Sequence, residues 1–199
     1  MHEDCSLPPP QVWQLAKNVS EDYVNSATWE LGQIRTSPSS WVPPPPGFHK
    51  INVDGASSKF ESFSSVRVVI RDCKGFVVAA LCKPLQACFS AELIEVFAME
   101  HGIILAQELQ LSRVIIESDS LNAIQAINVG ATGNSFWHLI QGILQMSDSF
   151  ESCLFKHINR SFNLVAHKLA HYARRSSLQH LWKGVMPPFV SSFLQFDLM

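Results

Sequence analysis

The sequence predicts a mixed α/β fold in which helices flank a single sheet. Three observations predict it. After residue 47, short segments rich in β-branched residues alternate with helix-forming segments; the first three strands follow one another directly; and one long proline-free segment is rich in Ala, Glu, Leu and Met. The resulting order is β-β-β-α-β-α-α-β-α. Because a helix that joins two parallel strands crosses over right-handed, this order indicates a mixed sheet whose first three strands are antiparallel.

An N-terminal arm is expected to precede the sheet. Residues 11–34 carry apolar side chains at spacings of three and four, the stripe of an amphipathic helix. A Ser-Pro pair ends this helix, and the run Pro43 to Pro46 favours a stiff polyproline extension. We place the domain boundary at Gly47. The expected parts are an arm with its linker, a domain and a tail: 1–47, 48–175 and 176–199.

The first three predicted strands lie close together in the chain. Segment 49–54 is a short strand that ends in the turn pair formed by Asp54 and Gly55. Two β-rich runs follow around a tight turn, 66–70 and 76–81. Together these segments predict an antiparallel meander at the start of the domain.

The remaining elements alternate helices with strands. A long helix spans 90–109, with Ser90 as its N-cap. The fully apolar run 114–116 is typical of a buried parallel strand, and Ser118 or Asp119 caps the helix that follows. The last predicted elements are a helix, a strand and a helix: 136–146, 153–158 and 162–173.

The composition describes one packed domain rather than a disordered chain. Hydrophobic residues make up 47% and charged residues 16% of the 199 residues, which suffices for one core. The five cysteines are odd in number and never spaced as C-x-x-C, so they fit neither a disulfide framework nor a zinc finger and favour a reducing compartment. No stretch approaches the roughly eighteen apolar residues of a membrane span, and the first ten residues lack an apolar signal segment. We therefore expect an intracellular monomer, nuclear or cytoplasmic, without membrane association.

Three acidic residues lie at suggestive points of this order. Asp54 ends the first strand, Glu92 lies in the first turn of the long helix, and Asp119 follows the buried strand. If the first and fourth strands are neighbours, Asp54 and Asp119 emerge at the same edge of the sheet, and Glu92 is expected to project into the same crevice. Singly, each acid is weak evidence, because Asp54 before Gly55 is more often a turn residue, Asp119 is a natural N-cap and Glu92 is a favourable charge at a helix start. As a set they predict a site for Mg²⁺ or Mn²⁺, with two ions about 4 Å apart acting on a phosphodiester.

The net charge and the distribution of charge along the chain give opposite indications about nucleic-acid binding. A net charge of −2 is unusual for a nucleic-acid-binding domain, which normally carries a basic face. The C-terminal third is nevertheless basic, and a solvated helix face explains any single one of its charges as well as a phosphate contact does. Between Ser152 and Phe196 there is no acidic residue, and the basic ones are Lys156, Arg160, Lys168, Arg174, Arg175 and Lys183.

Several segments together resemble the ribonuclease H-like family, specifically a plant branch related to non-LTR retrotransposon reverse-transcriptase polyproteins. The similar segments are WVPPPPGFHKINVDGA (41–56), VVIRD (68–72), SAE (90–92), IIESDS (115–120) and HINRSFNLVAHKLAHYA (157–173). The resemblance implies a five-stranded mixed sheet and an enzyme that cuts the RNA strand of RNA–DNA hybrids with four acidic residues and two Mg²⁺ ions.

Carried over position by position, the resemblance implies roles for individual residues. Asp54, Glu92 and Asp119 would be catalytic metal ligands. His157 would be a catalytic histidine that shuttles a proton or helps the product leave; alternatively, His157 simply ends the last strand. The family commonly has N-x-x-A-D at the fourth acidic position, where this chain has N-x-x-A-H. His167 is therefore the implied fourth ligand, and an imidazole favours Mn²⁺ over Mg²⁺ relative to a carboxylate.

Nucleic-acid contacts are predicted around the same site. Relatives usually have glycines at the start of the second strand, where this chain has a segment that ends in Arg67. Arg67 is expected either to reach a phosphate or to face solvent from the strand, and Arg160 is a second candidate phosphate contact. Four polar groups near the site are candidates to read the 2′-hydroxyls of a hybrid, although each is more often an ordinary turn or cap residue: Asn52, Ser57, Ser58 and Asn122.

Three functions remain open from the sequence. The first is a metal-dependent endonuclease for RNA–DNA hybrids, indicated by the acids and the similar segments. The second is a non-catalytic nucleic-acid-binding module, a domesticated or degenerate retroelement fragment, indicated by His167, the missing glycines and the absence of a basic excess. The third, an exonuclease, fits the local motifs less well. Fold alone does not separate them.

Overall fold

A computed structural model describes residues 41–58, 63–129, 136–167, 169 and 179–184. The predicted N-terminal helix and most of the predicted last helix and tail lie outside these residues. The described strands are β1 (His49–Ser58), β2 (Phe63–Arg71), β3 (Val77–Leu85), β4 (Arg113–Ser118), β5 (Ser152–His157) and β6 (His180–Lys183). The described helices are α1 (Ala91–Glu108), α2 (Leu121–Val129) and α3 (Trp137–Ser147), followed by a 3₁₀ turn at Arg160–Phe162 and helical residues 164–167.

The strands form one mixed sheet in the order β5-β4-β1-β2-β3-β6. The meander β1-β2-β3 is antiparallel, whereas β4 runs parallel to both β1 and β5. The predicted fold class is confirmed, and the sheet has one more described strand than expected. The additional strand β6 pairs with β3, where it covers hydrogen-bonding groups that an edge strand would otherwise expose. Strand β6 is only four residues long, which is too short for a hydrophobic period in the sequence to predict it.

Helix α1 covers one face of the sheet. Its start agrees with prediction, since the Ser90 side chain accepts a hydrogen bond from the Leu93 backbone N–H at 3.2 Å. Gly102 lies directly over β1, where an added Cβ would be 2.9 Å from a methyl carbon of Val53. The large hydrophobic core lies between this helix and β1, β2 and β4. None of the described helices combines the length and the hydrophobicity needed to cross a membrane.

The opposite face of the sheet has a smaller apolar cluster and a row of polar groups. The apolar cluster lies between β2, β3 and the helical residues after 163, and consists of Val69, Val77, Ala80, Val165, Ala166 and Leu169. Side chains alternate across a strand, so Lys50, Asn52 and Asp54 of β1 all lie on this face. The polar groups of this face form two clusters, one around Trp41 and one around Asp54.

Trp41 holds the segment before β1 against the sheet. Its ring, 4% exposed, stacks on Arg71 with the guanidinium carbon 3.3 Å from the ring centroid, and its Nε1 donates to Glu117 Oε2 at 3.3 Å. Lys50 Nζ donates to the Val42 carbonyl and pairs with Glu117 Oε1, both at 2.7 Å. Packing onto the sheet thus begins before residue 48, the expected start of the domain.

The backbones of β1 and α1 approach each other closely at Gly55, and this close approach predicts an effect on stability. A Cβ at Gly55 would lie 2.6 Å from the Ile94 carbonyl oxygen, and neither backbone can yield without moving α1. We expect Gly55→Ala to lower the free energy of unfolding in urea by about 1–3 kcal/mol. The matched control is Gly142→Ala in α3, where a Cβ meets nothing within 4 Å and should stabilise the helix by about 0.5–1 kcal/mol. Equal effects at the two glycines would contradict the close approach.

Candidate metal centre

Three carboxylates converge at the ends of β1 and β4. Strand β1 lies parallel to β4, so Asp54 and Asp119 emerge at the same edge of the sheet. Each of Asp54, Glu95 and Asp119 offers a carboxylate oxygen, and these oxygens all lie within 4.8 Å of one another. Asp54 is 5% exposed and the other two are half-buried. This is the only such group of metal-ligating side chains in the part of the chain that the structure describes.

The acid that α1 contributes is Glu95 rather than the expected Glu92. Glu92 is exposed in the first turn of the helix and is not part of the cluster. Glu95 lies one turn later, about 4.5 Å further along the helix axis, at the level where α1 contacts Gly55. The sequence contains a signal for Glu95. Gly102 allows the helix to approach the sheet closely, and Glu95 lies two turns before it, on the same face of the helix.

Glu95 is held in place from both sides and is difficult to ionise. The Ser118 hydroxyl donates to Glu95 Oε2 at 3.3 Å, and the Gly55 backbone N–H donates to the same carboxyl group. Burial, and then the negative charges of Asp54 and Asp119, raise the pKa of Glu95 to about 8. The carboxyl group therefore carries a proton at neutral pH unless a cation compensates its charge.

Asp119 is oriented by Asn163, the first residue of the N-x-x-A-H motif, for which the sequence predicts no role. Asn163 is 1% exposed, and its Nδ2 donates both to the Val53 carbonyl at 2.8 Å and to Asp119 Oδ1 at 3.2 Å. It thereby ties the start of the last described helical segment to β1 and to the acid. The N-x-x-A-H segment contributes to the site through its first residue as well as through its last.

The helix that follows Asp119 is capped by another residue. The Ser120 hydroxyl accepts from the Ala123 backbone N–H at 3.4 Å, so Ser120 takes the capping place predicted for Ser118 or Asp119. Ser118 instead accepts from the Ser120 N–H at 3.1 Å and donates to Glu95. The carboxylate of Asp119 accepts from Asn163 and belongs to the cluster.

Arg67 is an unexpected member of the site. It was expected to reach a phosphate or to face solvent, but it is 2% exposed and forms an ion pair with Asp54, with Nη1 on Oδ2. The reason is the strand register, which places Arg67 of β2 directly opposite Asp54 of β1. Burial nevertheless raises the pKa of Asp54, and the attraction of Arg67 offsets this only in part.

The two predicted histidines occupy different places. His167 Nδ1 lies 3.8 Å from Asp54 Oδ2, so this side chain borders the cluster at the implied fourth position. Arg160 is exposed, with Nη2 3.5 Å from the imidazole nitrogens of His167. His157 is exposed at the end of β5, level with Ser118, and is not in contact with the three carboxylates.

Among the other residues predicted to contact nucleic acid, Asn52 is committed to the protein interior. It is fully buried, accepts from Arg71 Nη2 at 2.8 Å and donates to Glu117 Oε2 at 3.0 Å, so it is not accessible to a ligand. Asn122 is exposed at the start of α2. Ser57 Oγ is 3.2 Å from the Cys88 sulfur, and Ser58 ends β1 with a side chain outside the described part of the chain.

The chain is similar to known proteins over this region. The reverse transcriptase-like family matches residues 52–173. An Arabidopsis thaliana protein provisionally named a ribonuclease H protein is 29% identical over 163 residues, which are 80% of this chain and 26% of that protein. The chain thus spans about a quarter of the length of this relative.

Two solved structures have the same fold. RNase H1 from the halophilic archaeon Halobacterium salinarum superposes with a TM-score of 0.59 at 17% identity, over 64% of this chain and 98% of that one. LC11-RNase H1, isolated from compost and solved in complex with an RNA/DNA hybrid, gives a TM-score of 0.55 at 18% identity, over 61% of this chain and 92% of that one. The fold is ribonuclease H-like.

Proposed function

Because the chain belongs to the reverse transcriptase-like family and has a ribonuclease H-like fold, we propose that it binds RNA–DNA hybrids and cuts the RNA strand internally. The observation that carries the proposal is the convergence of Asp54, Glu95 and Asp119 within 4.8 Å. Carboxylates gathered in a half-buried site repel one another when they are ionised, and a bound cation would offset this repulsion. That LC11-RNase H1 was solved with an RNA/DNA hybrid supports the choice of substrate.

The donor set of the cluster fits a hard divalent cation. Carboxylate oxygens are the ligands that Mg²⁺ and Mn²⁺ prefer, and imidazole at His167 is compatible with Mn²⁺. We propose Mg²⁺ as the cofactor, with Mn²⁺ as a substitute. When bound, such a cation supplies activation of water and stabilisation of the leaving oxygen of the phosphodiester.

The protein's own residues would position the reacting groups. Asn163 fixes the orientation of Asp119, and Ser118 with the Gly55 N–H fixes that of Glu95. We propose His157 as the group that moves a proton at the site rim, because it is exposed at the adjacent strand end.

Recognition of the hybrid would use the exposed polar groups beside the cluster. We keep Asn122 and Arg160, which are exposed, and Ser57, which is half-buried, as candidate contacts for a 2′-hydroxyl or a phosphate. Asn52 and Arg67 are withdrawn from this role because both are buried and hydrogen-bonded within the protein.

The test is cleavage of a hybrid whose two strands carry different labels, in Mg²⁺ and then in Mn²⁺. We expect internal cuts in the RNA strand only, and loss of cutting in Asp119→Asn. A ladder that starts from one end would indicate an exonuclease, and cutting that persists in Asp119→Asn would show that another site or a contaminant acts.

A second candidate function is hybrid binding without cleavage. The buried ion pair between Arg67 and Asp54 favours it, because the guanidinium already neutralises one of the three acids. It is the form expected of a domesticated retroelement fragment, an origin we propose from the family match and the Arabidopsis relative. Hybrid binding measured by fluorescence anisotropy, together with no cleavage in either metal, would establish this second function.

A further inference from the structure

Arg67 places a permanent positive charge against Asp54, one of the three acids of the cluster. Its guanidinium is ion-paired with Asp54 Oδ2, and Arg67 itself is 2% exposed. A guanidinium keeps its proton at any pH at which a protein is folded. The charge of the cluster is therefore always reduced by one, whatever the metal concentration.

The guanidinium is fixed at this place by its surroundings. Nη2 donates to Ser65 Oγ at 3.2 Å, and the register of β2 against β1 places Arg67 directly opposite Asp54. A buried cation that loses its counterion is strongly destabilising, so Arg67 remains on Asp54. His167 Nδ1 lies 3.8 Å from the same oxygen, so nitrogen groups border this side of the Asp54 carboxylate.

We propose that Arg67 takes the place of a divalent cation on Asp54, so that the cluster accepts at most one metal ion. The inference rests on the proposed metal site and specifies how many ions it holds. Asp54, Glu95 and Asp119 each still offer one carboxylate oxygen to a single ion. A second ion at Oδ2 would meet the guanidinium at contact distance, where like charges repel strongly in a buried site.

The test counts Mn²⁺ bound per chain, from the electron paramagnetic resonance signal of the free ion. The proteins compared are the wild type, Arg67→Gln, which removes the charge, and Arg67→Lys, which keeps it. We expect at most one Mn²⁺ for the wild type and for Arg67→Lys. Arg67→Gln should bind one ion more, or bind the first at least roughly tenfold more tightly.

A folding readout accompanies the binding experiment, since Arg67→Gln leaves Asp54 without its counterion. Its melting temperature should rise on addition of Mg²⁺ by more than that of the wild type, because the ion restores the lost charge. A variant that folds only with Mg²⁺ would support the proposal in the same way.

The outcomes separate this inference from the proposed function. Two ions on the wild type, or unchanged number and affinity in Arg67→Gln, would overturn the role of Arg67. No ion on the wild type but one on Arg67→Gln would uphold that role and refute metal-dependent hydrolysis. A wild type that binds one ion but cuts no hybrid would refute the proposed hydrolysis alone.

Discussion

Glu95→Gln is expected to reduce hybrid cleavage at least about 100-fold, whereas Glu92→Gln should leave it within about twofold. Glu95 lies in the cluster with Asp54 and Asp119, and a neutral amide in its place removes the negative charge that a cation would require. Glu92 is exposed and lies one turn earlier on the same helix. Glu92→Gln is therefore a closely matched control for Glu95→Gln.

The comparison is made with initial rates of RNA-strand cutting at saturating Mg²⁺, after circular dichroism has shown that both variants are folded. Loss of cutting in Glu92→Gln with full activity in Glu95→Gln would reverse the assignment.

The raised pKa of Glu95, about 8, predicts that metal binding by the wild type depends on pH. The carboxyl group is neutral below its pKa and charged above it, so metal binding should strengthen as the pH rises toward 8, and bound metal should shift this midpoint downward.

Trp41→Ala should lower the free energy of unfolding by about 3–5 kcal/mol. The substitution removes a buried ring that stacks on Arg71 and the indole N–H that donates to Glu117. It also opens Glu117 and Lys50 to water and loosens the segment that precedes β1.

Urea unfolding of Trp41→Ala is best compared with that of Phe76→Ala. Phe76 is also aromatic but is 67% exposed beside a turn, so its removal should change stability by no more than about 0.5 kcal/mol. Similar losses for the two variants would mean that Trp41 does not anchor the segment before β1 to the sheet.

Much of the fold could be predicted because local pattern and topology agree. The first strands read as β-rich runs between turns, and the helix from Ser90 carries both a cap and a proline-free interior. The proximity of Asp54 and Asp119 could be predicted because parallel pairing of β1 with β4 brings the ends of these two strands together. Strand β6 could not be predicted, because its four residues pair only through contacts made far along the chain.

Which of the two glutamates of α1 joins the cluster depends on its position along the helix axis relative to β1, because Glu92 and Glu95 have the same side chain. Both acids follow Ser90 within two turns, and a resemblance read from the SAE segment favours the first. The level of the site is set by where α1 meets β1, at Gly55 and Gly102. Gly102, which lies two turns after Glu95 and contacts β1, therefore indicates better than the SAE segment which acid reaches the site.

Arg67 and Asn52 show what strand patterns leave undetermined. Alternation tells which residues share a face but not what covers that face. Asn52 is buried because Trp41 and Glu117 close over it, and Arg67 meets Asp54 because of the register of β1 against β2. A hairpin register depends on the turn that joins the strands, which composition alone does not specify.

The claim that Asp54, Glu95 and Asp119 form one metal site is tested most directly by anomalous X-ray diffraction from crystals of the full chain soaked in Mn²⁺. We expect a single anomalous peak about 2 Å from oxygens of these carboxylates, with Arg67 still paired to Asp54. Mn²⁺ bound only elsewhere on the chain, with the three carboxylates in contact with protein groups alone, would contradict the claim.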